Sequence, residues 1–242
     1  MRKHLYALLR PYLEQGYHYG EPFLGMASVA SYVASQGHKG LTLSDASPFV
    51  HGFWDAMIFG QEIDWSLLTE ENYHSLRAGN QRHNPEFVER YGYAVACALG
   101  FGCSFGEAWL RSRYWGHRLQ SGTTLIHKTE TTSRRKASFL KNAEVELYNL
   151  SYQDVPLRDK CLIYCDPPYR GTTCSYSAEP FDPKAFDQWC RERAREGHIV
   201  LVSEYTAPPD AEIIFTKPQK QTFSHNAKTS ERVELVYTFR GL

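Results

Sequence analysis

Asp166-Pro167-Pro168-Tyr169 brings together side chains that could do chemistry as a unit. With average amino-acid usage this tetrapeptide arises by chance in roughly one chain in a thousand of this length. A carboxylate at that position can accept a hydrogen bond from an exocyclic amino group. Two prolines remove N–H donors and stiffen the backbone, leaving the Pro167 carbonyl as a second acceptor. Tyr169 offers a flat face on which a base can stack. The bland reading is a rigid turn, but the preceding run Cys161-Leu162-Ile163-Tyr164-Cys165 is apolar throughout, as in a buried parallel strand. Open α/β sheets hold their ligands just beyond the ends of such strands.

Two further stretches fit a nucleotide-type ligand. Glu21 to Ser28 reads as a strand-to-helix turn containing Gly25, and Asp45 closes the strand Leu41-Thr42-Leu43-Ser44. An acidic group at that strand end is where nucleotide-binding folds accept hydrogen bonds from ribose hydroxyls. It is also where a helix cap commonly sits, and a lone glycine at a turn is often only a packing necessity. In this order, ahead of Asp166, the features reinforce one another.

Charge supplies a third feature. Lys and Arg balance Asp and Glu at 27 each, yet residues 111–141 hold Arg111, Arg113, Arg118, Lys128, Arg134, Arg135, Lys136 and Lys141 against Glu130. That segment carries +7 and the other 211 residues −7. Such segregation fits a polyanion-binding lobe, and a solvated charged loop fits charge alone equally well. Trp109, Tyr114 and Trp115 interleave with the arginines and could stack on nucleic acid or pack the lobe.

The elements that must position these groups follow from periodicity. Residues 2–14 read as an amphipathic helix through Leu5, Leu8, Leu9, Tyr12 and Leu13. Strands are expected at 17–19 and 41–45, and Ser47-Pro48 opens a helix by the cap-then-proline rule. Residues 61–150 lose the strand rhythm and read as an inserted lobe, with helices at 65–77, 85–98 and 134–144. The sheet resumes at 161–165. A helix runs from Asp182-Pro183 to about Arg195, a strand from His198 to Ser203, and segments 211–216 and 232–239 form a closing antiparallel pair. The fold class is a three-layer Rossmann-like α/β domain, built from 1–60 and 151–242, with a mixed sheet and the lobe at 61–150.

Several classes are set aside. No apolar run approaches the roughly 18 residues of a membrane helix, and the Arg10-Pro11 break argues against a signal peptide. Six scattered cysteines without a C-x-x-C pair suit a reducing cytoplasm rather than a zinc ribbon or disulfide scaffold. There is no H-E-x-x-H, no G-x-S-x-G elbow and no phosphate-binding P-loop, so no metal site is expected.

With these residues in place, the chain resembles the Dam-like DNA adenine-N6 methyltransferases, particularly compact phage and prophage members. Glu21-Pro22-Phe23-Leu24-Gly25-Met26-Ala27-Ser28 is similar to their first S-adenosylmethionine motif, E-P-F-x-G-x-G-S. Ser44-Asp45 resembles the ribose-binding acidic motif. Ser151-Tyr152-Gln153-Asp154-Val155 stands where an acidic residue meets the cofactor adenine. Tyr164 to Tyr169 matches the catalytic motif, and Val202-Ser203-Glu204 the strand after it. The resemblance implies S-adenosylmethionine as cofactor, held by Glu21, Pro22, Phe23, Gly25, Ala27, Ser28, Asp45, Asp154, Val155 and Asp166. It implies DNA as partner, held by Arg111, Arg113, Arg118, Lys128, Arg134, Arg135 and Lys136. Catalysis falls to Asp166, Pro167, Pro168 and Tyr169, acting on N6 of a flipped adenine. N4 of cytosine, an RNA adenine and a non-catalytic relative stay open as alternatives. Two departures stand out. Ala27 replaces the second motif glycine, and Met1-Arg2-Lys3-His4 stands where relatives carry a glycine-and-lysine segment. Either that segment is truncated or Arg2 and Lys3 substitute for it, Lys3 then pairing with the cofactor's carboxylate.

Overall fold

A computed structural model of the chain describes residues 2–60, 62–78, 83–104, 109–110, 114–116, 122–170, 181–221 and 230–239. The order is α1 (Arg2–Glu14), β1 (His18–Glu21), α2 (Ala30–Ser35), β2 (Leu41–Ser44), α3 (Pro48–Phe59), α4 (Glu70–Arg77), α5 (Pro85–Gly102) and α6 (Leu125–Lys141). Then follow β3 (Val145–Tyr148), β4 (Cys161–Cys165), α7 (Pro183–Arg195), β5 (Ile199–Glu204), β6 (Glu212–Gln221) and β7 (Ser230–Thr238). The sheet runs β3-β2-β1-β4-β5-β7-β6, parallel from β3 to β5 and antiparallel at β7 and β6.

Strand alternation assigns the two faces. Leu162, Tyr164, Leu201 and Val236 join the large core formed with helices α1 to α6, through residues such as Leu9, Val33 and Trp54. Cys161, Ile163, Cys165, Val200, Val202 and Tyr237 point the other way, onto Phe186, Trp189 and Cys190 of α7. The result is a three-layer α/β domain, and β4 is buried along its whole length. No helix among the described residues is long and apolar enough to cross a membrane.

The structure departs from the sequence reading between 61 and 150. Val145–Tyr148, expected inside the lobe, is instead the sheet's edge strand, paired in parallel with β2. It is only half-buried and four residues long, so it shows neither an apolar run nor a clear alternation. Helix α6 begins nine residues before its expected start, capped by Thr124, whose hydroxyl accepts the His127 N–H. Helix α5 runs on to Gly102 through a kink at Gly92, where φ is +81°. Trp109 and Tyr114 are core residues, while Trp115 stays exposed.

Strand order reverses between β1 and β4: β2 and β3 lie on one side, β5 on the other. Both neighbours of that reversal end in a carboxylate region, Glu21 on β1 and Asp166 just past β4. This switch point is where an open α/β sheet leaves a crevice at its carboxyl edge.

Candidate active site

The turn after β1 is built around Gly25. Its N–H donates to Asp45 Oδ2 at 2.9 Å, and its carbonyl accepts from Trp54 Nε1 at 2.9 Å. Asp45 Oδ1 accepts the Ser47 N–H at 2.9 Å, so one carboxylate ties the β1 turn to the start of α3. Asn149 donates to the Asp45 carbonyl, fixing the strand end from the β3 side. Two left-handed residues on either side of Met26 bend the turn, Gly25 at φ +47° and Ala27 at φ +49°. Glycine tolerates this freely, whereas alanine pays about 1 kcal/mol. Ala27 thus adopts a backbone shape that glycine favours, and it is fully buried.

A cavity of about 670 Å³ opens above the switch point, lined by the Glu21–Met26 turn, Ser28 and Val29, the Asp45-Ala46-Ser47 corner, Ser151-Tyr152-Gln153, and Asp166, Pro168, Phe181, Asp182 and Ala185. That volume suits a drug-sized or nucleoside-sized ligand. Its lining includes four acids (Glu21, Asp45, Asp166 and Asp182) and, among the described residues, no Lys, Arg or His. One wall is aromatic: Phe23 and Tyr152 stack at 5.4 Å, and Phe181 meets both edge-on. Ser47 Oγ is buried without a hydrogen-bond partner. Expected to cap α3, that hydroxyl caps nothing.

Three of the acids, Glu21, Asp45 and Asp166, are held against ionisation. Burial raises Glu21 to about 8; the Tyr19 hydroxyl, donating at 2.5 Å, opposes the shift and the Asp166 charge adds to it. Burial likewise raises Asp45 to about 6, against the pull of its two backbone donors. Asp166 is raised to about 6 by the protein mass packed around it. The Tyr169 hydroxyl, donating to its carboxylate, pulls the other way, and the charges of Glu234 and Glu204 push it up further. Its side chain remains open to solvent through the cavity.

A clamp behind the Asp166 loop holds it in place. The Arg170 guanidinium meets Asp187 of α7 at 2.5 Å and lies 3.8 Å from Glu204 at the end of β5, while the Arg170 N–H donates to the same Glu204 carboxylate. Glu204 also accepts the N–H of Tyr205, whose ring meets Tyr169 edge-on at 4.6 Å.

Of the expected cofactor residues, Glu21, Pro22, Phe23, Gly25, Ser28, Asp45 and Asp166 line the cavity together. Ala27, buried within the turn, does not line it, and neither do Asp154 and Val155. Their turn contributes Ser151, Tyr152 and Gln153 instead, with Asp154 exposed. Lys3 is exposed on α1 and is not among the lining residues. Of the catalytic four, Asp166 and Pro168 line the cavity, Pro167 is buried, and Tyr169 is half-buried beside them. Arg111, Arg113 and Arg118 lie outside the described residues. Lys128, Arg134 and Arg135 are exposed on α6, Arg134 being paired with Glu130 at 2.9 Å and Glu62 at 3.8 Å. Lys136, expected on the DNA face, is 9% exposed and turned inward: its ammonium donates to the Met26 carbonyl at 2.6 Å and to Ser28 Oγ at 3.2 Å. Trp54, Asn149, Tyr152 and Arg170 are contributors that sequence reasoning missed. An aromatic next to the expected acidic contact was the available signal for Tyr152.

No family model and no curated protein matches the chain. Among solved structures, a provisionally assigned methylase from Haemophilus influenzae is 11% identical, with a TM-score of 0.39, and the match covers 98% of this chain and 86% of the other. A provisionally assigned methyltransferase solved in complex with SAH is 13% identical, with a TM-score of 0.34, covering 93% of this chain and 48% of that one.

Proposed function

We propose that this protein transfers a methyl group from S-adenosylmethionine to an exocyclic base nitrogen, N6 of adenine in DNA. The observation that carries the reading is the cavity at the switch point, walled by acids, with Asp166 at its edge. The fit to the cofactor rests on donor chemistry. Asp45 and the unpartnered Ser47 hydroxyl suit ribose hydroxyls, the Phe23–Tyr152 wall suits a flat heterocycle, and a lining that is acidic and, among the described residues, without cations suits a positively charged sulfur. When bound, S-adenosylmethionine supplies an electrophilic methyl group on that sulfur.

This chain's own residues do the rest. An exocyclic amino nitrogen is a poor nucleophile because its lone pair is delocalised into the ring. Accepting a hydrogen bond from that amino group, the Asp166 carboxylate favours the pyramidal nitrogen whose lone pair can attack. Tyr169, held by its bond to Asp166 and by Tyr205, offers the face on which a flipped base stacks. Rate then comes from positioning and from charge placed in advance, with no covalent enzyme intermediate. The choice of DNA is supported by the exposed cations of α6 and by the motif resemblance. The choice of adenine is supported by Asp-Pro-Pro-Tyr, a signature that N4 of cytosine would satisfy chemically.

Incubating the protein with labelled S-adenosylmethionine and unmethylated DNA, then digesting to nucleosides, is expected to give N6-methyldeoxyadenosine. Label in cytosine would move the target to N4, and none in DNA while RNA is labelled would remove DNA as substrate.

Asp45→Ala is expected to weaken S-adenosylmethionine binding by about 1.5–3 kcal/mol, the worth of a hydrogen bond to a charged group. Calorimetry giving unchanged affinity would reduce Asp45 to the clamp between Gly25 and Ser47. DNA affinity should fall steeply with salt, and Arg135→Ala should lower the log–log slope by about one unit. If Lys128→Ala with Arg135→Ala moves neither slope nor affinity, the outer face of α6 is only solvated.

A further inference from the structure

Lys136 is out of place by the usual rule for lysine. Ammonium groups are rarely buried without strong compensation, because leaving water costs several kcal/mol. Here α6 turns the residue after Arg134 and Arg135 inward, beneath the turn that follows β1. Two acceptors among the described residues, the Met26 carbonyl and the Ser28 hydroxyl, both belong to residues of the cavity wall. Its charge also reaches Glu21, buried behind the same turn.

The turn is therefore gripped at two points: Gly25 by Asp45 and Trp54, and the Met26–Ser28 stretch by Lys136. The first grip comes from the end of β2 and from α3. The second comes from α6, the helix that carries exposed cations on its outer face.

We infer that Lys136 is a positioning residue of the cavity, fixing the Met26–Ser28 segment from α6 and placing a positive charge behind a wall whose own side chains are acidic. Through the turn it sets the shape and the field that the cavity offers a ligand. The ligand-binding consequence rests on the cofactor reading above; the ordering of the turn does not.

The test uses the full chain, with Lys136→Met to remove charge and donors at similar length and Lys136→Arg to retain both. In ligand-free protein, Lys136→Met should speed amide hydrogen exchange at Gly25 and Ala27 by about tenfold or more, since local opening of the turn loses one of its restraints. It should weaken binding of S-adenosylmethionine and of S-adenosylhomocysteine by about tenfold, the scale of a lost hydrogen bond from a charged group. Turnover at saturating cofactor should stay within about threefold, because Lys136 touches no reacting atom. Lys136→Arg should recover most of both losses. Unchanged exchange in a folded Lys136→Met protein would overturn the inference, as would loss of binding that arginine fails to restore. If the wild-type protein binds neither probe, the cofactor reading fails and the exchange result alone decides the role of Lys136. If Lys136→Met does not fold, Ser28→Ala, which removes one acceptor, should speed exchange at Ala27 by about threefold. No change there would overturn the inference.

Discussion

Asp166→Ala should lower methyl transfer by about 10²–10⁴-fold, the range expected when a positioned acid–base or charge-stabilising group is removed. Cofactor affinity should change little by comparison, because Glu21, Asp45, Phe23 and Ser47 remain around the cavity. Single-turnover rates alongside calorimetry separate the two, and near-normal turnover would take Asp166 out of the mechanism. The pH dependence has a definite sign. Asp166 must be ionised to accept from the amino group, and burial lifts it from 3.8 to about 6. Turnover should therefore rise with pH through about 6 and level off above it. A profile already flat between pH 4 and 6 would mean that some other group governs the step.

Arg170→Ala should cost about 2–3 kcal/mol of stability. The substitution leaves Asp187 and the 2% exposed Glu204 facing each other's surroundings without their shared cation. Removing one member of a buried pair costs about 3–5 kcal/mol, and the figure is reduced here because the guanidinium is 30% exposed. Urea unfolding reports it as a lower midpoint at constant slope. Turnover should fall as well, because the same clamp seats the loop bearing Asp166 and Tyr169. A midpoint shift below about 0.5 kcal/mol would show the pair to be no more than a surface contact.

Much of this was legible in the residues. The unbroken apolar run at 161–165 marked the central strand, and the Asp at the end of 41–45 marked the second corner of the cavity, because burial on both sheet faces and a strand-end carboxylate leave local patterns. The β-prone segments at 211–216 and 232–239 paired as expected, although both strands extend further. Long-range partnerships were not legible. Val145–Tyr148 joins the sheet only because β2 offers it an edge, and nothing in four half-buried residues announces that. Lys136 looked like its neighbours Arg134 and Arg135, since charge counting is blind to the 100° step that turns one side chain of a helix inward. Arg170 drew no notice because its partners are 17 and 34 residues away. The 151–155 stretch reaches the cavity through Ser151 to Gln153 rather than through Asp154 and Val155, since a tight turn leaves Asp154 exposed.

The acidic wall has a consequence for turnover itself. Three of its carboxyls, Glu21, Asp45 and Asp166, hold protons to pH values where ordinary carboxyls have lost theirs. A cation entering the cavity draws those groups toward their charged forms, so capture expels protons and grows stronger as pH rises through their range. On the proposed reaction, loss of the methyl group would leave a neutral sulfur; the wall would then regain its protons, and the charge attraction would lapse while the ring and hydroxyl contacts stayed. Spent and fresh ligand would thus differ to this cavity in charge.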